Sequence, residues 1–255
     1  MLIRKLYRPL MKWMVPLNLV VGPTAFLPAQ SGGFQDVSLS TLREAPPGHD
    51  TAFVLSGMNR AARDAKSFRA NIQVVEAVPV KKGSRERKWR VQTGTLEVAK
   101  NMGARLILRR DDRYREYTAN NRELLEYESR KNRVSTLPVG IPILSGLVKR
   151  ALAFDPTLLT EMDSLNLTGM QNVSGIPAYR LEGTTPSSYA TFGLKKQPVR
   201  IWLRATDYAP LRIDLPNCDQ TLINLSSIER DTAISPGRFE FRHPPGATVR
   251  RILGI

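Results

Sequence analysis

Disulfide chemistry is closed to this chain. It has a single cysteine, Cys218, in 255 residues, and one thiol cannot form an internal bridge. The length buries a sufficient core without such staples. Histidine is almost as scarce: His49 and His243 stand alone and far apart, which gives no zinc-site spacing. No Gly-x-Ser-x-Gly nucleophile elbow occurs. The glycines Gly140 and Gly146 enclose no phosphate-loop lysine pair. The adjacent acids Asp111 and Asp112 sit between two alternating segments, where a hairpin turn favours Asp, so they are read as a turn and not as an acid/base pair. Acids are also in short supply, 23 against 38 Lys and Arg, for a net charge of +15. Long apolar runs are missing too. The most apolar stretch, 13–26, is broken by Pro16 and Pro23 and falls short of the roughly 20 residues a spanning helix needs.

That stretch fits an export signal. Arg4, Lys5, Arg8 and Lys12 form a positive start with no acid, the apolar run follows, and Leu27, Pro28 and Ala29 offer small-residue cleavage geometry after Ala29. Removing the four charges lowers the balance from +15 to +11. For an exported protein this basic balance points to an anionic membrane surface or an acidic partner, and not to nucleic acid. No cysteine adjoins the cleavage point, so the mature chain is not expected to be a lipoprotein itself. Residues 30–49, with Gly32, Gly33 and the Pro46, Pro47, Gly48 triplet, form a flexible lead-in.

From residue 50 onward the chain reads as one domain. Asp50 is placed to cap a helix whose apolar stripe is Val54, Leu55, Met58, Ala61, Ala62 and Ala65. Period-two segments follow at 68–76, 89–98, 104–110, 113–119, 122–128 and 133–139. Tight Asp and Asn turns join several of them. Further strands are expected at 165–171, 177–182, 199–205, 210–215, 220–228 and 238–242, about eleven in all. The expected class is mainly β. Between the two sets, Ile143, Leu144, Leu147, Val148, Ala151 and Leu152 fall on one helical stripe bounded by Gly140, Pro142 and Pro156. A second short helix is expected at 158–162. The basic run Lys81, Lys82, Arg85, Arg87, Lys88 and Arg90 reads as a hairpin loop or a docking patch for anionic headgroups, with Trp89 turned toward the interior.

Several short motifs recur in a recognisable order. Ser67, Phe68 and Ala70 open the first strand. Gly94, Leu96 and Val98 form a Gly-x-Leu-x-Val strand. Asn120, Asn121, Arg122, Leu124 and Tyr127 resemble an Asn-Gly-Lys-x-Leu-x-x-Tyr hairpin, and Asn132, Arg133 and Val134 follow. The chain closes on Phe239, Phe241, Pro244, Pro245, Gly246 and Val249. Taken together these resemble the periplasmic outer-membrane lipoprotein carrier (LolA-like) family along nearly the whole mature chain. Where that family carries Lys-Arg-Pro after its Gly-x-Leu-x-Val strand, this chain has Lys100, Asn101, Met102 and Gly103. Lys100 lacks the guanidinium fork of the family's arginine.

The resemblance implies a half-open antiparallel β-barrel with an N-terminal helix and a short helical lid. It also implies a non-enzymatic carrier in the periplasm, with no cofactor and no metal. The cargo would be the acyl chains of a lipoprotein or other lipid, received from inner-membrane release machinery and delivered to an outer-membrane acceptor. Trp89, Val91, Leu96, Val98, Leu106 and Leu108 are the expected cavity residues. The 143–152 stripe is the expected lid, and Lys100 its contact. The competing expectation is a periplasmic module of the same fold that senses lipid or lipoprotein through a protein partner.

Overall fold

The computed structural model describes residues 37–80, 86–120, 123–138, 157–186, 196–216 and 220–251. Helix α1 spans Thr51–Asp64. Its start is fixed by Asp50, whose carboxylate accepts the Phe53 N–H at 2.7 Å. That satisfies one of the orphan donors of the first turn. Its end is fixed at Ala65, which turns extended after donating to the Ala61 carbonyl. Val54 and Met58 are its buried face.

The strands are β1 (Ser67–Pro79), β2 (Arg87–Ala99), β3 (Gly103–Arg110), β4 (Arg113–Asn120), β5 (Glu123–Glu128), β6 (Arg133–Pro138), β7 (Asp163–Val173), β8 (Ile176–Thr184), β9 (Pro198–Arg204), β10 (Pro210–Leu215), β11 (Thr221–Arg230) and β12 (Thr248–Arg251). A four-residue helix, α2 (Thr157–Thr160), precedes β7. All twelve strands form one sheet in the order β12-β6-β5-β4-β3-β2-β1-β11-β10-β9-β8-β7. A twisted sheet this wide curls, but β12 and β7 do not pair with each other, so it stays open. This is the mainly β, open antiparallel architecture expected. The first eleven strands lie where the alternation puts them, and Asp111 adopts φ 56° in the expected turn.

Two expectations are corrected. The alternation of Phe239 and Phe241 does not mark a strand. Pro236–Phe239 is a 3-10 helix started by Pro236, and the twelfth strand is Thr248–Arg251, parallel to β6. Phe239 packs with Ala99 and Ile234, whereas Phe241 packs against Tyr127. A segment crossing a sheet can bury alternate side chains as a strand does. The lead-in is not without structure either. Residues 38–43 run along the β7 edge, with Arg43 and Met170 exchanging both backbone hydrogen bonds at 2.8 Å. That blunts an edge which would otherwise invite pairing.

Opposed residues in antiparallel strands share a face. The row Ile201, Ile213, Ile223 and Val74 therefore lies on the same side as the row Ile72, Gly94, Leu108, Arg115, Glu128 and Arg133. This is the side on which α1 packs, since Val54 and Met58 join Tyr179, Leu181, Val199, Ile201 and Leu203 in one cluster. It is called the inner face below.

Candidate functional site

An apolar sheet face requires a second layer. Over β8 and β9, α1 and Leu159 of α2 provide it. Over β1, β2, β3 and β11 the inner face is equally apolar but differently constituted. Ala70, Leu96 and Leu225 form one cluster, and Ile72, Val74 and Leu108 another. Phe68, Val98, Leu106, Ile223 and Ile228 lie around them. Among the described residues both clusters consist of strand side chains alone. Leu96 and Leu108 are fully buried. Between them sits Gly94. A Cβ there would fall 1.7 Å from the Ile107 carbonyl oxygen, so only glycine allows β2 and β3 to approach this closely.

Leu96, Val98, Leu106 and Leu108 thus share the inner face. Trp89 and Val91 do not. The β1–β2 register runs without a shift from Ser67 opposite Ala99 to Pro79 opposite Arg87, so these odd-numbered positions lie on the outer face. Trp89 is 56% exposed and does not turn toward the interior. Of the basic run around it, Arg87, Lys88 and Arg90 belong to β2; Lys81, Lys82 and Arg85 lie outside the described residues. Lys100 reaches the end of α1: its Nζ donates to the Arg63 carbonyl at 2.7 Å. A cation there satisfies a terminal carbonyl and opposes the helix dipole. Ile143, Leu144, Leu147, Val148, Ala151 and Leu152 lie outside the described residues, as does Cys218.

Across β4, β5 and β6, and toward the β3–β4 turn, the inner face becomes polar. The Tyr117 hydroxyl donates to Glu126 Oε1 at 3.2 Å. Burial pushes the Glu126 carboxyl up, with Arg115 partly opposing the shift, and burial likewise raises the Tyr117 phenol. Glu128 receives Lys131 at 2.8 Å, Arg133 at 3.2 Å and Arg115 at 3.5 Å. Burial alone would raise its carboxyl, but the Lys131 hydrogen bond and the Arg115 charge outweigh burial and hold it below the usual range. Arg90 pairs with the buried Glu76 on the same face.

The outer face is a paired charge network. Buried Glu97 accepts from Arg69 at 3.1 Å and from Arg238 at 2.8 Å, with Arg105 at 3.9 Å. Arg105 also binds Glu116 at 2.7 Å. This network ties the segment before β12 to the sheet.

No family sequence profile and no curated protein matches the chain. Solved structures do. An uncharacterized conserved protein from Thermus thermophilus superposes at TM-score 0.50 with 12% identity, over 78% of this chain and 96% of that one. The lipoprotein LppX of Mycobacterium tuberculosis gives 0.45 and 14% identity over 72% and 98%. A LolA superfamily protein from Nitrosomonas europaea gives 0.37 and 10% over 76% and 99%. At these identities the likeness is one of fold.

Proposed function

We propose that this is an exported carrier that holds the acyl chains of a lipoprotein or other lipid on the inner face of its open sheet and moves them across the periplasm. The observation that carries the proposal is the pair of apolar clusters around Leu96 and Leu108. They occupy the face that bears α1 elsewhere, yet among the described residues they are built from strand side chains only. An acyl chain is a suitable second layer for such a face. Each methylene it buries is worth about 0.8 kcal/mol, which makes unaided transfer of a multiply acylated molecule through water slow. An apolar surface supplies the alternative solvent and requires no chemistry.

Leu106 is the position for the test, because it belongs to both clusters and is only partly buried. Delipidated protein is titrated with a fluorescent long-chain fatty acid. Leu106→Gln should bind about tenfold more weakly, the consequence of a polar amide placed in an apolar contact, while its melting curve stays cooperative. Unchanged binding by a folded Leu106→Gln protein overturns the assignment of the site. Native mass spectrometry of protein purified from its own periplasm separates carriage from sensing. Bound acylated species support carriage; a stoichiometric protein partner without lipid supports the sensing module.

A further inference from the structure

The inner face is divided along the strands, and the division specifies the chemistry of the cargo. Leu108 stands directly opposite Arg115, so cation and apolar cluster are cross-strand neighbours. One step further toward the turn, Arg110 and Arg113 oppose each other. Arg133, opposite Glu128, and Arg90, opposite Glu76, lie on the same face. Five guanidiniums from β2, β3, β4 and β6 therefore gather at one end of the apolar strip, against Glu76, Glu126 and Glu128 on that face. Their side chains are between 30 and 45% exposed, which leaves them within reach of a ligand.

Three details are unfavourable for an empty face and favourable for an anion. Like charges directly opposed across a strand pair repel, and Arg110 faces Arg113. The carboxylates beside them, Asp111 at 3.5 Å and Asp112 at 3.6 Å, are turn residues 78 and 86% exposed, and such pairs contribute little. Arg133 Nε is buried with no hydrogen-bond partner among the described residues, an unmet donor that an acceptor oxygen would satisfy.

We infer that the cargo is an anionic amphiphile, a phosphate-bearing lipid lying with its chains over Leu96, Leu106 and Leu108 and its headgroup among Arg110, Arg113, Arg115 and Arg133. This rests on the carrier reading and deepens it. Guanidinium forks match phosphate oxygens in pairs, and the adjacency of Leu108 and Arg115 sets the junction between chain and headgroup.

The test compares phosphatidic acid with diacylglycerol of identical chains, titrated into delipidated protein in the same detergent. Phosphatidic acid should bind at least about tenfold more tightly, the effect of one charge-assisted hydrogen bond. The preference should shrink as salt is raised. It should fall severalfold in Arg110→Gln and in Arg113→Gln, two separate variants at partly exposed positions, while diacylglycerol binding is unchanged. Arg69→Gln on the outer face should leave the preference intact. Equal binding of the two lipids overturns the headgroup assignment and leaves the carrier reading standing. Binding of neither lipid overturns the carrier reading itself. Inorganic phosphate binding as tightly as phosphatidic acid overturns the amphiphile and leaves a simple anion site.

Discussion

Replacing Phe239 with alanine tests how the C-terminal segment is fastened to the sheet. The ring is 2% exposed and packs with Ala99 and Ile234. Below it is Gly103, at φ +157°, whose missing Cβ would lie 3.3 Å from Phe239. No side chain there can move into the space the ring leaves. Phe→Ala in a core costs about 3–5 kcal/mol, the upper part of that range where the site cannot collapse, so about 4 kcal/mol is expected. The cheapest response is local. β12 holds to β6 through four residues, and the segment before it is tied by Asn120 to the Phe239 carbonyl at 3.1 Å and by Asn132 to the Pro245 carbonyl at 3.1 Å. Release of residues 234–251 exposes less surface than global unfolding. Hydrogen exchange reads it directly at the Thr248 amide, which donates to the Asn132 carbonyl at 2.9 Å. Loss of about 4 kcal/mol corresponds to exchange roughly a thousandfold faster, unless global opening already limits that amide. Phe241→Ala, half-buried against Tyr127, should accelerate it by about tenfold to a hundredfold. If Phe239→Ala changes the Thr248 rate by less than about tenfold, or if Phe241→Ala has the larger effect, Phe239 is not the anchor.

Three further outcomes are expected. Glu97→Gln should lower stability by about 2 kcal/mol in urea unfolding, because a buried carboxylate shared by three guanidiniums is lost while Arg69 and Arg238 can turn to water; Arg238→Ala, with a side chain 48% exposed, should cost less, about 1 kcal/mol or below, and the reverse order would count against Glu97 as the hub. Glu126 has a folded-state carboxyl raised by burial, so the folded protein binds its proton more tightly than the unfolded chain, and stability declines as pH rises from the unfolded carboxylate range through the raised value. Melts across that window should show Glu126→Gln gaining on the wild type as pH rises, and a constant difference would refute the assignment. Gly94→Ala should abolish the cooperative melt followed by circular dichroism, since a Cβ 1.7 Å from the Ile107 carbonyl forces β2 and β3 apart; a cooperative melt within a few degrees of the wild type would show that β2 and β3 accommodate it.

Much of this architecture is local, and local features can be recovered from sequence. Strands β1 to β11, six to thirteen residues long, are set by alternation, and the Asp111 turn by a conformation Asp tolerates. Asp50 caps α1 for the same kind of reason. Parity also places Leu96, Val98, Leu106 and Leu108 together. It does not say which face of β2 looks inward, because the apolar phase changes along the strand: Val91 is odd-numbered and Leu96 even, with Thr93, Gly94 and Thr95 between. That is why alternation alone misplaces Trp89. The arginine belt is harder still. Arg90, Arg110, Arg113, Arg115 and Arg133 look like ordinary solvent-facing charges on their own strands, and only the register across β1–β6 brings them to one end of one face. Phe239 and Phe241 illustrate the converse, since alternation reports burial without naming the element that achieves it.

The arginines of the described strands therefore fall into two sets with different consequences. Away from the apolar strip, several arginines share carboxylates. Arg69, Arg105 and Arg238 share Glu97 and Glu116; Arg204 and Arg230 share Asp207; Arg200 holds Asp214. Sharing a carboxylate reduces the long-range field of these arginines. On the inner face five arginines stand at one end of an apolar strip, and the acids beside Arg110 and Arg113 are exposed turn residues. A uniformly basic surface would draw the protein to any anionic membrane regardless of orientation. A cluster of arginines at the end of the binding face favours approach with that end toward the headgroups, which also brings the apolar clusters nearest the acyl chains. Loading and orientation then depend on the same arginines. Neutralising Arg110 or Arg113 should slow lipid uptake from anionic vesicles more than removing an outer-face arginine of equal exposure, although both changes lower the net charge equally.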